Sequence, residues 1–147
     1  MTTPQLVRDI MSTDLVTVTP DESLAEALLR MRRHDVRRLP VVDETGLVGI
    51  ITDRDLRLAA DSPFLDETPS EAFHQLEQHR VEDIMTTSVT TIEPEAPIVE
   101  AAKLIRVAHV GGLPVVDEND RLVGIVTRTD LVDHLIRLLE PVENAEV

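Results

Sequence analysis

The sequence lacks cysteine, tryptophan and tyrosine altogether, and Phe64 and Phe73 are its only aromatic residues. Without cysteine there is no disulfide, no thiolate ligand for zinc and no cysteine nucleophile. Without tyrosine or tryptophan, neither ring is available to stack on a nucleobase, and the core must be largely aliphatic. Apolar residues still make up 42% of the 147 residues, which is enough for one compact domain or two very small ones.

Basic residues are also scarce, with 14 Lys and Arg against 28 Asp and Glu, for a net charge of −14. This charge repels a phosphate backbone and no basic patch offsets it, so we expect no nucleic-acid partner. No stretch approaches the roughly 18 apolar residues of a membrane helix, and the N-terminus shows no basic segment followed by an apolar one. We therefore expect a cytoplasmic protein that does not insert into a membrane.

The chain contains an internal duplication. Residues 7–56 align with residues 81–131, with one extra residue in the second copy, and 24 of the 50 aligned positions are identical. VRDIM answers VEDIM, LPVVDE occurs in both copies, and the octet GIITDRDL (49–56) answers GIVTRTDL (124–131). Repetition at this level indicates a duplicated structural unit. Two copies favour a pseudo-twofold pair, in which each covers apolar surface that the other cannot bury alone.

Each copy shows the same succession of strand patterns. A β-branched stretch, 15–18 in the first copy and 89–92 in the second, predicts a strand. After a helix, two apolar runs joined by a short polar turn predict a hairpin. Thr52 and Thr127 then begin a last helix. Each copy is therefore predicted to be a β-α-β-β-α unit.

The helix between the first strand and the hairpin has clear boundaries. In the first copy Ser23 and Glu26 form the pattern of a capping box, and Pro97 takes the place of Ser23 in the second. Apolar residues follow at i, i+3, i+4 and i+7. They are Leu24, Ala27, Leu28 and Met31, and in the second copy Ile98, Ala101, Ala102 and Ile105. We expect these helices to end near His34 and His109.

The segment between the copies is polar and rich in turn residues. Thr68, Pro69 and Glu71 predict the start of a short helix that runs to about Gln78. The expected division is a first repeat at 7–60, a linker with its own helix at 61–80, a second repeat at 81–139 and a tail at 140–147.

The last helix of the second copy carries a broad apolar stripe that includes Leu131, Leu135 and Leu138. A stripe of this kind on a terminal helix is more often packed on its own domain than free. We therefore expect it to be buried within the domain, and a contact between two copies of the chain is the alternative.

In both copies DIM is followed by a strand, a helix, LPVVD, a hairpin and the octet that ends in Thr-x-x-Asp-Leu. A duplicated unit with its features in this order closely resembles the CBS domain pair, or Bateman module, named after cystathionine β-synthase. The resemblance covers residues 7–139 and rests on five ordered features, each present twice. It implies an α/β (α+β) fold in which two β-α-β-β-α repeats pack through their sheets. It also implies clefts that bind AMP, ADP, ATP or S-adenosylmethionine, a flat homodimer, and regulation of a partner enzyme, channel or transporter. We expect a stand-alone adenine-nucleotide sensor acting on a separate effector protein.

The repeated Thr-x-x-Asp pattern has two interpretations that can hold together. Thr52 with Asp55, and Thr127 with Asp130, can cap a helix and place a negative charge at its N-terminus. The resemblance assigns the same positions to the ribose and phosphate of a ligand. The preceding Gly49 or Gly124 fits a close approach of the backbone to a ligand, and a twisted strand explains it equally well.

The residues before LPVV differ between the copies. The first copy has Arg37 and Arg38, and the family places phosphate contacts in this segment; an ion pair with Asp35 or Asp43 is the alternative. The second copy has Gly111 and Gly112, which bring no charge but allow backbone N–H groups to approach a ligand. Arg128 could restore a charge there. The two sites are therefore predicted to be unequal, with the Arg37 and Arg38 site preferring phosphate-rich ligands.

Adenine would have to lie between aliphatic side chains in this sequence. The candidates are the first-strand residues around Thr17 and Thr91, together with Pro40 and Pro114. Like the other assignments, these positions follow from the resemblance to the family.

Other functions remain open at this point. The module could be structural, with empty clefts, or an accessory subunit of a transporter or metabolic enzyme. Catalysis is not expected, because no His-x-x-x-His spacing, Gly-x-Ser-x-Gly elbow, Walker loop or Gly-x-Gly-x-x-Gly motif occurs. No resident cofactor is expected, and Mg²⁺ could bind only through the phosphates of a bound nucleotide.

Overall fold

The computed structural model describes residues 5–60 and 70–141. Short helices and two hairpins alternate along these ranges. In chain order the elements are α1 (Val7–Ile10), α2 (Leu24–His34), β1 (Arg38–Asp43), β2 (Gly46–Thr52), α3 (Asp53–Ala59), α4 (Ser70–Glu77), α5 (Val81–Ile84), α6 (Ile98–Ala108), β3 (Gly112–Val116), β4 (Leu122–Thr127) and α7 (Arg128–Leu139).

The chain forms two compact units. The first unit comprises Val16–Val89 and Asp120–Leu122, and the second comprises Met1–Leu15, Thr90–Asn119 and Val123–Val147. Each unit thus contains the α-β-β-α part of one sequence copy together with the DIM segment of the other copy, which is residues 9–12 in the first copy and 83–86 in the second. The units therefore do not follow the order of the copies along the chain.

Backbone hydrogen bonds attach each DIM segment to the hairpin of the other copy. In the first unit, Ile50 and Thr86 exchange two bonds of 3.0 and 2.9 Å. In the second unit, Ser12 and Ile125 exchange the equivalent bonds, of 2.8 and 3.0 Å. The outer edges of β2 and β4 are thereby partly paired, which satisfies backbone groups that an open edge would leave unpaired.

The hairpins are antiparallel, as predicted. In the first unit Arg38 pairs with Thr52, and the register shifts between Val41 and Val42. The predicted first strand is reduced to one bridging residue in each unit. Val18 bridges β1 in parallel, and Ile92 does the same to β3.

The helix boundaries agree with the sequence patterns. Ser23 Oγ accepts a hydrogen bond from the Glu26 N–H at 3.1 Å, so the predicted cap is present. The Glu26 carboxylate pairs instead with Arg30, at 3.0 Å, and leaves the capping box half formed. Residues of left-handed conformation follow the two 11-residue helices, Asp35 after α2 and His109 after α6, which is a common way to end a helix.

Each unit has an aliphatic core, as the composition predicts. In the first unit Leu39, Ile51 and Leu56 are fully buried, and in the second Leu113 and Val126 are. Burial of such side chains contributes about 1.5 to 3 kcal/mol each. None of the described helices has the length and apolar character needed to cross a bilayer.

The linker contains the predicted helix, α4. Its apolar side chains Ala72 and Leu76 are 6% and 0% exposed, and they join the core of the first unit, where α4 packs on α2. The predicted cap residues Thr68 and Pro69 lie outside the described residues. The helix ends at Glu77, one residue before the predicted end.

The prediction that the stripe on α7 is buried within its own domain is wrong. Leu135 and Leu138 are 52% and 53% exposed, while Leu131 is half-buried. The only buried residue of α7 is His134. An amphipathic pattern shows which face of a helix is apolar, but it does not show that the chain itself provides a cover for that face.

Candidate functional site

The first candidate site lies where β2 runs into α3. Thr52 is the N-cap, and its hydroxyl oxygen accepts a hydrogen bond from the Asp55 N–H at 3.3 Å. Asp55 Oδ2 accepts in return from the Thr52 N–H at 2.9 Å. This reciprocal pair is a complete capping box. The capping interpretation of the first Thr-x-x-Asp pattern is confirmed.

The second candidate site repeats this geometry where β4 runs into α7. The two reciprocal bonds between Thr127 and Asp130 are 3.2 and 2.9 Å long. The Thr127 hydroxyl is also within 3.1 Å of Asp130 Oδ2, and the Ser12 hydroxyl is 3.4 Å from Asp130 Oδ1. The second carboxylate is therefore more fully surrounded by donors than the first.

The caps do not exhaust the hydrogen-bonding capacity of the carboxylates. Asp55 uses one oxygen for the box, and its Oδ1 accepts no hydrogen bond from residues 5–60 or 70–141. An ionised carboxylate has about four acceptor positions. Asp55 and Asp130 are both half-buried. Each can cap its helix and still accept hydrogen bonds from a ligand hydroxyl.

The first-turn amides of α3 and α7 are mostly used within the chain. The Asp53 N–H donates to the Arg37 carbonyl at 2.9 Å, and the Arg128 N–H donates to the Gly111 carbonyl at 3.0 Å. Together with the box bonds, this leaves only the second amide of each helix without a partner among the described residues. A phosphate would thus meet one free amide rather than a cradle of several.

These bonds also bring the predicted site residues together within each unit. Arg37 lies beside the start of α3 through its carbonyl, and Arg38 lies across the hairpin from Thr52. Arg37 is exposed. It forms no ion pair with Asp35 or Asp43, so the alternative ion-pair role does not apply to Arg37. Arg38 is half-buried. The backbone of both arginines therefore lies beside the first capping box.

The second unit has Gly111 and Gly112 at the equivalent positions, half-buried and buried respectively. The only cationic side chain of the predicted set there is Arg128, which is exposed and is the first residue of α7. The two sets of predicted site residues thus differ in their cationic side chains, and a difference in ligand preference between the sites stays a prediction.

Asp43 has a local role instead. Hydrogen bonds from the hydroxyl and then the N–H of Thr45 hold the pKa of the Asp43 carboxyl below its usual value. Asp43 thus stabilises the turn of the first hairpin and is not held by the arginines of the site.

The residues predicted near adenine lie at the other edge of each hairpin. Val18 N–H donates to the Pro40 carbonyl at 3.1 Å, and Ile92 N–H does the same to Pro114. Both prolines are buried, whereas the neighbouring Thr17 and Thr91 are half-buried. The threonines are thus the accessible members of these pairs.

The structure supplies a packing reason for Gly49 and Gly124. A Cβ on Gly49 would lie 2.7 Å from Met85 Sδ and 3.0 Å from the Thr86 carbonyl oxygen. A Cβ on Gly124 would lie 2.5 Å from Met11 Sδ. These glycines admit the DIM methionines, so neither of them requires a ligand to explain it.

The sequence patterns did not predict one polar cluster, which lies beside Thr17 in the first unit. Arg30 forms a bidentate ion pair with Glu22 and donates to the Thr17 carbonyl at 2.9 Å. Burial tends to raise the pKa of Glu22, but hydrogen bonds from Arg30 and from the Thr19 N–H outweigh it, and the pKa is lowered. The i,i+4 spacing of Glu26 and Arg30 predicts an ion pair between these two side chains. No sequence pattern predicts the contact of Arg30 with Glu22.

No group of three or more His, Asp or Glu side chains in the described part of the chain is arranged to hold a metal ion.

The sequence matches known proteins along most of its length. The model of the CBS domain family matches residues 7–62 and 81–137. A CBS domain-containing protein of Dictyostelium discoideum is 54% identical over 138 residues, which cover 93% of this chain and 95% of that protein.

Two solved structures with bound ligands are similar to most of this chain. CBSX2 from Arabidopsis thaliana has been solved in complex with AMP, and matches with a TM-score of 0.77 at 31% identity, over 93% of this chain and 100% of that one. The CBS domain pair of the protein MJ0100, in complex with 5′-methylthioadenosine and S-adenosyl-L-methionine, matches with a TM-score of 0.73 at 33% identity. That match covers 90% of this chain and 97% of the other.

Proposed function

The chain belongs to the CBS domain family and carries two copies of the domain, and on this premise we propose that it is a regulatory module that binds an adenosine-containing ligand. The observation that carries the proposal is the pair of capping boxes, in which Asp55 keeps one carboxylate oxygen free of hydrogen bonds within the described chain. Ribose hydroxyls are suitable donors to such an oxygen. CBS pairs of similar structure were solved with AMP and with S-adenosylmethionine.

The two sites are proposed to differ in ligand. Arg37 and Arg38 beside the first box favour AMP, ADP or ATP, because guanidinium groups bind phosphate through paired hydrogen bonds. The second site, with Gly111, Gly112 and Arg128, favours a less charged adenosine ligand such as S-adenosylmethionine, or stays empty. Thr17 and Thr91 border the adenine in this proposal, and Mg²⁺ accompanies only a polyphosphate.

Regulation requires that the ligand bind two conformations of the module with different affinities, since binding shifts an equilibrium only by that difference. The output is proposed to be the activity of a separate partner protein in the cytoplasm, such as a transporter or a metabolic enzyme. The regulatory role rather than a catalytic one accords with the match, which assigns only CBS domains to the chain. Self-association as a homodimer is part of the proposal, and light scattering tests it.

Titration calorimetry with AMP, ATP, NAD and S-adenosylmethionine tests the ligand. We expect AMP or ATP to bind the first site, and Asp55→Ala to weaken that binding at least tenfold. Asp55→Asn removes the negative charge but keeps the helix cap, because the amide oxygen can still accept a hydrogen bond from the Thr52 N–H. Asp133→Ala, an exposed change in the second turn of α7, is the control and should leave binding unchanged.

A purely structural module with empty clefts is the second candidate. Two observations favour this candidate. Both capping boxes are complete without a ligand, and the first amide of α3 and of α7 donates to a carbonyl of the chain itself. No heat and no thermal shift with any of the four ligands would support it against the sensor. Affinity purification of the tagged full chain then identifies the partner in either case.

A further inference from the structure

Methionine is the only sulfur-containing residue of this chain, which has four methionines and no cysteine. Met31 is 4% exposed in the core of the first unit, and Met1 lies outside the described residues. Met11 and Met85, in the two DIM segments, are half-buried. A methionine thioether can be oxidised to the sulfoxide. A dissolved oxidant therefore reaches Met11 and Met85 more readily than Met31.

Both of these thioethers lie directly against a strand glycine. Met85 Sδ is 2.7 Å, and its Cγ 3.1 Å, from the position that a Cβ on Gly49 would take. For Met11 and Gly124 the same distances are 2.5 and 2.9 Å. Carbon atoms in van der Waals contact lie about 3.5 to 4 Å apart, so each thioether occupies the space that a side chain of the strand would need. An oxygen added to the sulfur finds no room on the side of the strand.

Each DIM segment depends on this packing because its own secondary structure is short. α1 and α5 are single turns of four residues, and a helix of this length is not stable without tertiary packing. Met85 packs on the core of the first unit and Met11 on that of the second. The next residue along the chain, Thr86 or Ser12, makes the two backbone hydrogen bonds to the hairpin. A change at the methionine sulfur therefore acts on the attachment of the whole segment.

Oxidation changes the polarity of this contact as well as its size. The sulfoxide oxygen accepts hydrogen bonds, and burying it without a donor is unfavourable. The nearest backbone donors along the chain are already used, because the N–H groups of Met85 and Thr86 donate to the carbonyls of Val81 and Ile50 at 2.9 Å each. The oxidised side chain is therefore more stable when it turns toward water and away from the strand.

We propose that Met11 and Met85 form a pair of oxidation sites, at which a peroxide loosens the attachment of each DIM segment to the hairpin of the other copy. In the reaction the sulfur loses two electrons as it forms a bond to one peroxide oxygen and the O–O bond breaks. The proton of that oxygen passes to the departing hydroxide, which leaves as water. Methionine sulfoxide reductases reverse the change. The inference does not depend on the ligand of the proposed function.

The first test treats the full wild-type chain with hydrogen peroxide and follows each methionine over time by peptide mass mapping. We expect Met11 and Met85 to be oxidised several-fold faster than Met31, which is the buried internal control. This order follows from exposure in the folded protein, so it would be lost if oxidation required global unfolding.

The second test measures amide hydrogen exchange in the oxidised full chain by NMR. The four amides of the two bridges should exchange about tenfold faster than before oxidation, because exchange reports local opening. They are those of Ile50, Thr86, Ser12 and Ile125. The Val42 N–H, which donates to the Val18 carbonyl at 2.9 Å, is the control and should exchange at an unchanged rate. Treatment with a methionine sulfoxide reductase should restore slow exchange at the bridges.

Leucine variants assign the effect to each site, because leucine is close to methionine in volume and has no sulfur to oxidise. After peroxide treatment, Met85→Leu should keep slow exchange at Ile50 and Thr86 while the bridge of the second unit still loosens. Met11→Leu should show the reverse. Met31→Leu is the matched control, in which both bridges should loosen as in the wild type.

Three results would overturn the proposal. One is oxidation of Met31 at the same rate as Met11 and Met85. Another is conversion of both DIM methionines to the sulfoxide without faster exchange at either bridge. The third is faster exchange after peroxide treatment in a protein that carries both Met11→Leu and Met85→Leu.

Discussion

The two units start from copies that are identical at 24 of 50 aligned positions, yet they differ in how they complete themselves. Both keep the hairpin, the capping box and the methionine packed against a strand glycine. They diverge on the outer helical face, which α4 covers in the first unit and which stays exposed in the second. Both copies thus keep the capping boxes and the packing of methionine on glycine, whereas the residues before LPVV and the burial of the helical face differ between them.

A second difference concerns the side chains at one pair of equivalent positions in the two units. The first has the ion pair of Glu22 with Arg30, and the second has Ala96 and Leu104, which pack against its core. An ion pair that is partly removed from water gains little over an apolar pair of similar volume, but it is costly to break on one side only. The comparison predicts that a protein with either the ion pair or the apolar pair is stable. A variant that combines one charged member with one apolar member should be less stable.

The largest effect is expected where α4 covers the first unit. Leu76→Ala removes a fully buried side chain and should lower the free energy of unfolding by about 2 to 4 kcal/mol. Leu135→Ala, the same change on the open face of the second unit, should cost less than about 1 kcal/mol. Urea denaturation measures both. Equal losses would mean that the second face is covered in solution.

An intermediate effect is expected at the strand glycines. Gly49→Ala and Gly124→Ala should each lower the free energy of unfolding by about 1 to 3 kcal/mol, because the methionine and a backbone carbonyl must move. In a Met85→Ala background the added cost of Gly49→Ala should be smaller, since the nearest obstructing atom is gone. A cost that is independent of Met85 would point to the carbonyl or to a different cause.

The smallest net effect is expected when both members of the ion pair are exchanged for the apolar pair, although changing one member alone is costly. Arg30→Leu alone should lower the free energy of unfolding by about 1 to 3 kcal/mol, because Glu22 loses its partner and the Thr17 carbonyl loses a donor. Glu22→Ala with Arg30→Leu, which reproduces the second unit, should regain most of this loss. Denaturation at neutral pH compares the three proteins, and a double variant no more stable than the single one would contradict the prediction.

The same variants carry a pH dependence whose sign follows from Glu22. Its pKa is lowered in the folded protein, so its contribution is present above the usual glutamate pKa of 4.5 and is lost as the pH falls through the folded value. The stability of the wild type should therefore fall more steeply in acid than that of the double variant. Parallel curves would show that the Glu22 contact does not persist in solution.

Much of the local structure could be predicted from the sequence. The ends of α2 and α6 near His34 and His109, and the N-caps Thr52 and Thr127, follow from patterns within a few residues of one another. The hairpins follow from two apolar runs and a polar turn. The ion pair of Glu22 with Arg30 could not be predicted, because Glu22 lies in the turn before α2 and its separation from Arg30 matches no local pairing pattern.

The sequence by itself determined the duplicated unit, the aliphatic core and the capping boxes, because these depend on composition and on contacts along a single turn. Only the tertiary structure decided that each DIM segment pairs with the hairpin of the other copy, and that Gly49 and Gly124 make room for methionines. It alone revealed that α4 covers one helical face and leaves the equivalent face of α6 and α7 exposed. Such outcomes depend on which distant segments meet, and an apolar pattern on one segment does not specify its partner.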